Sequence, residues 1–271
     1  MSDSFPRQYA RTQRFTLGEP RNLTVSPDGR RVVFLRSAGG DDPVKRLWVL
    51  DVETGAARLV ADPVALLASD DETSVDLPAA ERARRERLRE AAGGITAYAT
   101  DAATTVFACA LAGRLVAGGL LSGAARELDV AGPVFDPRPD PLAHRIAYVS
   151  GPTLRIAELD GSSRVLVGDG EPSTVSWGSA DFIAAEEMHR FGGFWWSPDG
   201  SAIAATRVDD AAVAEWVIAD PADPERPART VRYPAAGTAN ADVTLHLLEL
   251  DGSRCTVEWD REFFPYLSLI H

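Results

Sequence analysis

Ser26-Pro27-Asp28-Gly29 leads into the apolar run Val32-Val33-Phe34-Leu35, and Ser197-Pro198-Asp199-Gly200 leads in the same way into Ala202-Ile203-Ala204-Ala205. No other feature constrains the fold as much as this repeated unit. Pro presets φ for the first turn position and Gly supplies a positive φ at its end, so each copy reads as a tight turn joining two strands. Leu23 and Val25 alternate with polar residues ahead of the first turn. Behind it come Leu47-Trp48-Val49-Leu50-Asp51, closed by Glu53-Thr54-Gly55, and then Ala57-Arg58-Leu59-Val60. The result is a four-stranded antiparallel meander of about forty residues, the size of one propeller blade.

The same grammar recurs along the chain. Residues 135–150 are a looser copy of the turn and strand, followed by 154–161 and 163–167; Trp195–Val208 is a close copy, followed by Leu245–Gly252 and a last strand from Cys255 to Trp259. A fainter unit lies at 104–110 and 113–129. One S-P-D-G alone is merely a hairpin turn; repetition, with a Leu-Asp pair and a Gly closing the strand after it (Leu50-Asp51 to Gly55, Leu250-Asp251-Gly252), carries the reading. It predicts an all-β fold, an incomplete β-propeller of about four to five antiparallel four-stranded blades. Residues 1–20, polar with Phe5, Tyr9 and Phe15, are expected as an N-terminal arm or a short helix, and residues 21–271 as the partial propeller.

Two stretches break the blade pattern as helical insertions, near 76–94 and 178–193. In the first, Asp76 suits a cap, Pro78 the first turn and Gly93 a stop. Five arginines interleave with three glutamates between Glu81 and Glu90, which reads as a solvated helix held by i,i+4 ion pairs. The second stretch interrupts the fourth unit between Thr174-Val175-Ser176-Trp177 and Trp195-Trp196-Ser197-Pro198-Asp199-Gly200. An insertion in a repetitive scaffold is a frequent carrier of function.

A chain of 271 residues can bury a large core as one all-β domain or two smaller ones. Its net charge of −12 argues against nucleic acid and against an anionic membrane surface, and favours cationic or amine-bearing ligands. The N-terminus has no apolar signal region and no run of about 18 apolar residues occurs, so a cytoplasmic protein is expected. Cys109 and Cys255 lie in apolar, strand-like contexts and read as small buried hydrophobes; a disulfide between them is not required. His144, His189, His246 and His271 lack metal-ligand spacing. Asp209-Asp210 reads as a turn. There is no G-x-S-x-G elbow and no phosphate loop, so no catalytic residue, metal ligand or cofactor is assigned.

The distinctive stretch is Asp181–Gly200, where adjacent carboxylates Glu186 and Glu187 stand near the aromatic run Phe194-Trp195-Trp196. Adjacent helical residues point about 100° apart, yet two carboxylates at a helix end can converge on one ammonium group. From the residues alone, the pair is either an amine site or two exposed helix glutamates.

Three stretches together bear on that choice. Asp181-Phe182 followed by Glu186-Glu187-Met188 resembles the D-W-x-x-E-E-E-V segment of dipeptidyl peptidase IV. Trp195–Gly200 is similar to the W-W-S-P-[DN]-G of that family, and Tyr233–Asn240 to its Y-P-x-A-G-x-x-N loop. Ala185 stands where the family often has a third glutamate and Ala184 where it often has tyrosine. The resemblance is to the prolyl-oligopeptidase class of serine peptidase, a propeller of about eight blades followed by an α/β-hydrolase domain. It implies that Glu186 and Glu187 bind the free α-amine of a peptide, which fixes the scissile bond at a set distance and so releases dipeptides. It implies peptides with a free N-terminus as partners, an α/β-hydrolase domain in the full-length protein, and a homodimer of that protein. That hydrolase domain is absent from this sequence, so the chain is expected to be a fragment, catalytically silent alone. The alternative expectation is a stand-alone propeller-like module that binds a peptide or protein without enzymatic activity.

Overall fold

In a computed structural model, residues 4–67, 79–88, 90, 93–222, 225, 227–268 and 270 are described. The helix α1 (Phe5–Arg11) comes first, with Pro6 in its first turn. Its residue Phe5 stacks with Tyr9 at 5.8 Å, and Phe15 joins both at about 6 Å. The arm is tied to the body where Gly18 N–H donates to Ser37 Oγ at 2.9 Å.

The first sheet runs β1 (Arg21–Val25), β2 (Arg31–Ser37), β3 (Val44–Asp51), β4 (Ala57–Ala61) in chain order and antiparallel. The turn between β1 and β2 closes as its residues predict: Gly29 at φ +70 donates to Ser26 O at 2.8 Å, and Asp28 accepts from the Ser26 hydroxyl and Arg30 N–H. On β3 burial alternates through Lys45, Leu47 and Val49, the period of a strand. After a short helix α2 (Pro63–Leu66), capped by Asp62 on Val64 N–H, comes the helix α3 (Ala79–Leu88). The expected Asp76 cap and Pro78 lie outside the described residues. Gly93, expected to stop the helix, instead forms β5 (Gly93–Gly94) with its neighbour, a short parallel addition to β3. Nor is α3 solvated all round. Glu81 is buried, with Arg84, Arg85 and the Thr96 hydroxyl on its carboxylate at 2.7–3.0 Å. Those cations hold its pKa below the usual range despite the opposing effect of burial.

The second sheet is β6 (Ala99–Thr100), β7 (Val106–Leu111), β8 (Arg114–Gly119), β9 (Arg126–Leu128), and the third is β10 (Phe135–Pro139), β11 (Arg145–Ser150), β12 (Thr153–Glu158), β13 (Ser163–Val167). Core residues gather between neighbouring sheets. Val33, Leu35, Leu47 and Val49 meet Phe107, Cys109 and Val116 in one cluster; Ala108, Leu115 and Ala117 meet Ile146, Tyr148 and Ala157 in the next. Stacking of this kind buries both faces of a middle sheet, which is why β7 reads as the unbroken apolar run VFACAL.

The fourth sheet has order β14 (Val175–Trp177), β16 (Ala202–Asp209), β19 (Asp242–Glu249), β20 (Arg254–Val257). The helix α4 (Phe182–Glu187) and β15 (Phe194–Trp196) fall between β14 and β16, and the hairpin β17 (Glu215–Ile218) with β18 (Arg229–Arg232) falls between β16 and β19. Residues 264–268, after β20, form no strand. The chain divides into two compact units, Met1–Ser150 with Arg155–Arg164 and Gly151–Leu154 with Val165–His271; all of the fourth sheet lies in the second.

Candidate functional site

The insertion leaves and re-enters the fourth sheet through one strand cut in two. Val175–Trp177 pair with Asp209–Arg207 of β16, and Phe194–Trp196 pair with Ala205–Ile203 of the same strand. Thr206 is the β16 residue between them. Its N–H donates to Gly193 O at 2.8 Å, its carbonyl accepts from Gly178 N–H at 3.0 Å, and its hydroxyl lies 2.9 Å from Ser179 O and 3.1 Å from Gly193 O. Thr206 therefore closes the neck of the excursion. The two sides of the neck are so close that a Cβ on Gly193 would sit 2.4 Å from Ser179 O. Gly178 turns the chain out with φ +74.

Beyond the neck, Asp181 caps α4 by accepting from Ala184 N–H at 3.1 Å. Ala184 and Ala185 face inward, and Glu186 and Glu187 at the last positions of the helix are exposed. The structure thus puts both predicted residues together at the carbonyl end of a helix, where the peptide dipoles add to the negative field. Such an end favours a cation and offers carboxylate oxygens to its N–H groups.

Sequence reasoning missed the residue that holds this arrangement. The guanidinium of Arg190 donates to Asp181 Oδ1 at 3.1 Å, Gly192 O at 2.9 Å and Leu267 O at 3.1 Å, and the Arg190 backbone N–H donates to Ala184 O at 3.0 Å. Its side chain is 6% exposed and that of Asp181 10%, a buried ion pair. Burial pulls the Arg190 pKa down, and Asp181 opposes that. The available signal was one arginine in an otherwise acidic and apolar insertion, nine residues after its capping aspartate.

The aromatic residues of the three motif stretches also converge on the insertion. Phe182 of α4 meets Tyr233 edge-on at 5.1 Å, and Tyr233 meets Trp216 of β17 in the same way at 6.0 Å. The Arg190 guanidinium lies 5.9 Å above the Trp195 ring. Asp181, Ala184 and Met188 share a cleft of about 150 Å³ with Asn240, Tyr266 and Leu267, in which the Asn240 amide donates to Tyr266 OH at 3.0 Å. Asp209 ends β16 and accepts from Ala211 N–H at 3.0 Å, and Asp210 O accepts from Val213 N–H at 3.0 Å, so the expected turn starts at this pair. His246 is buried between Thr244 and Thr256 and packs on Trp177 at 4.9 Å between ring centres. Among the described residues no group of three or more His, Cys, Asp or Glu is arranged to hold a metal, and no helix is long and apolar enough to cross a membrane.

Four-stranded antiparallel sheets in chain order, with a helix spliced into an edge strand of one, define a propeller-type architecture. The sequence model of one family, described as the dipeptidyl peptidase IV (DPP IV) N-terminal region, matches residues 112–268, and the chain belongs to that family. Over 103 residues the chain is 35% identical to the inactive dipeptidyl peptidase 10 of Rattus norvegicus, a match covering 37% of this chain and 13% of that protein. Over 127 residues it is 31% identical to dipeptidyl peptidase 4 of Arthroderma otae, covering 43% of this chain and 16% of that one. These matches therefore span about a sixth or less of their relatives' length. The crystal structure of Porphyromonas gingivalis dipeptidyl peptidase 4 superposes with a TM-score of 0.66 over 96% of this chain and 35% of that one, at 17% identity, which shows a shared fold.

Proposed function

We propose that this chain is the substrate-recognition propeller of a dipeptidyl-peptidase-type serine peptidase, and that Glu186 and Glu187 hold the α-ammonium group of a peptide. The observation that carries the reading is the placement of the pair. Two exposed carboxylates project from the carbonyl end of a helix that a buried Asp181–Arg190 pair ties to the neck of the insertion. The acidic balance of the chain, net −12, adds attraction for a cationic end group. In the same reading, an α/β-hydrolase domain in the full-length polypeptide supplies the nucleophile, the substrates are peptides with a free N-terminus, and the assembled enzyme is a cytoplasmic homodimer.

Fixing the amine fixes the register of the peptide. The bond presented to a nucleophile at constant distance is then the one after the second residue, so positioning alone selects dipeptide release. In a full-length polypeptide carrying a hydrolase domain, Glu186→Gln and Glu187→Gln each lower kcat/KM on an X-Pro or X-Ala substrate by roughly 10–150-fold, since a hydrogen bond to a charged group is worth about 1.5–3 kcal/mol. Unchanged kcat/KM in both variants sinks the assignment.

A second reading, a peptide-binding propeller without enzymatic activity, is favoured by one finding: the rat relative is itself named an inactive peptidase. A full-length polypeptide that binds X-Pro peptides through their amine and does not cleave them decides for it.

A further inference from the structure

We propose that Arg190 is the positioning residue of the amine site, the group that sets the direction in which Glu186 and Glu187 project. The inference rests on the reading of the two glutamates as an amine clamp. Three features of the insertion lead to it.

First, α4 is six residues long. A helix of that length is far below the length at which helices persist unaided, so its orientation comes from whatever anchors it. Second, Arg190 joins four otherwise separate points of backbone and side chain. Its backbone N–H binds the carbonyl of Ala184 in the middle of the helix. Its guanidinium binds the N-cap carboxylate of Asp181, the carbonyl of Gly192 at the neck, and the carbonyl of Leu267 in the C-terminal segment. The planar guanidinium presents its donors in a fixed fork, so these contacts constrain orientation as well as distance. Third, only Met188 and His189 separate Glu187 from Arg190, and His189 holds the left-handed region at φ +55. So tight a connection has little slack, and a displacement of Arg190 passes directly to the glutamates.

Arg190 does not act on substrate itself. Its side chain is 6% exposed and its guanidinium is engaged by Asp181, Gly192 and Leu267. Its effect on amine capture passes through α4, which distinguishes it from Glu186 and Glu187.

The test is an NMR titration of this chain with the dipeptide Ala-Pro and, in parallel, with N-acetyl-Ala-Pro. The ratio of the two affinities reads the amine alone, and a role confined to stability would leave it unmoved. Two variants are compared with wild type. Arg190→Lys keeps the charge opposite Asp181 and loses the fork. The double variant Asp181→Ser, Arg190→Met removes both charges together and keeps a side chain able to cap α4. Wild type is expected to prefer the free amine, and both variants to lose at least tenfold of that preference. Amide exchange at Ala185 and Met188 should speed up by a similar factor while β16 and β19 exchange as in wild type. If β16 and β19 lose protection in the double variant, Arg190→Lys decides by the same criterion. A folded variant that keeps the wild-type preference overturns the role of Arg190 and leaves the clamp standing. If wild type does not distinguish the two dipeptides, or Glu186→Gln and Glu187→Gln together leave the preference intact, the clamp itself fails and the positioning role fails with it.

Discussion

Asp199 shows how one side chain closes a blade turn. Its carboxylate accepts from the Ser197 hydroxyl at 2.6 Å, from Ser201 N–H at 3.1 Å and from the Ser201 hydroxyl at 2.8 Å. These donors, led by the Ser197 hydroxyl, lower its pKa to about 2. Two of the blade turns do the same work with other residues. Asp140 accepts from Leu142 and Arg145 N–H while Ala143 takes the left-handed position at φ +61; Asp101 accepts from Thr105 and Val106 N–H with Thr104 at φ +56. The S-P-D-G copies were legible because Gly and Pro announce a turn. The Asp101 and Asp140 versions were faint because Ala and Thr in a left-handed conformation announce nothing. The depressed pKa of Asp199 gives a signed expectation. A carboxylate whose folded pKa lies below its unfolded value near 3.8 contributes stability that is complete above that value and is lost as pH falls toward 2. Wild type should therefore lose more stability between pH 4 and pH 2 than Asp199→Asn does. Thermal melts across that range check it; parallel acid limbs in the two proteins would count against the hydrogen-bonded turn.

The site is built at the scale of the element, and there the sequence told only part of the story. Glu186 and Glu187, the helical character of their segment and its place inside the fourth unit were all readable. What was not readable is that Val175–Trp177 and Phe194–Trp196 are two halves of one strand on β16. Pairing is a long-range property, and a half-strand of three residues has too little alternation to reveal its partner. Thr206 hid for a related reason: after the apolar run Ala202–Ala205 it looks like any β-branched strand residue, and its role depends on the carbonyls of Ser179 and Gly193. In α3, Glu81 looked like one more charge on a solvated face, because only the fold shows that Arg84, Arg85 and Thr96 surround it. The neck gives a sharp expectation. In Gly193→Ala the new Cβ meets backbone at 2.4–2.6 Å, at Ser179 O and C and Gly178 C, none of it the movable end of a side chain. Overpacking of this kind costs about 1–3 kcal/mol. Because the strain falls on the neck, the variant should also lose its preference for Ala-Pro over N-acetyl-Ala-Pro. Wild-type stability and wild-type preference together in Gly193→Ala would show that the neck is looser than its hydrogen bonds imply.

Across the whole molecule, the two compact units each contain one of the two thiols, and these thiols differ in their exposure. Cys109 sits on β7 in the first unit, fully buried among Val33, Leu47 and Phe107, where desolvation pushes its pKa up to about 12. Cys255 sits on β20, the exposed last strand of the sheet in the second unit. Both are free, so the disulfide that the sequence left open does not form. The thiolate is the reactive form, and a thiol held protonated inside a core is inert until the core opens. Native protein should therefore titrate one thiol with dithiobis(nitrobenzoic acid), assigned to Cys255 by its loss in Cys255→Ser. The second should react at the rate at which the first unit unfolds, and immediately in denaturant. The reagent is a dianion and the chain carries a net charge of −12, so repulsion slows the encounter. Raising salt from about 10 mM to 100 mM shortens the Debye length from about 30 Å to about 10 Å and should speed the Cys255 reaction, while the slow Cys109 phase, limited by unfolding rather than encounter, should not share that acceleration. Two fast thiols in the native protein would mean that the β7 core opens far more readily than its packing implies.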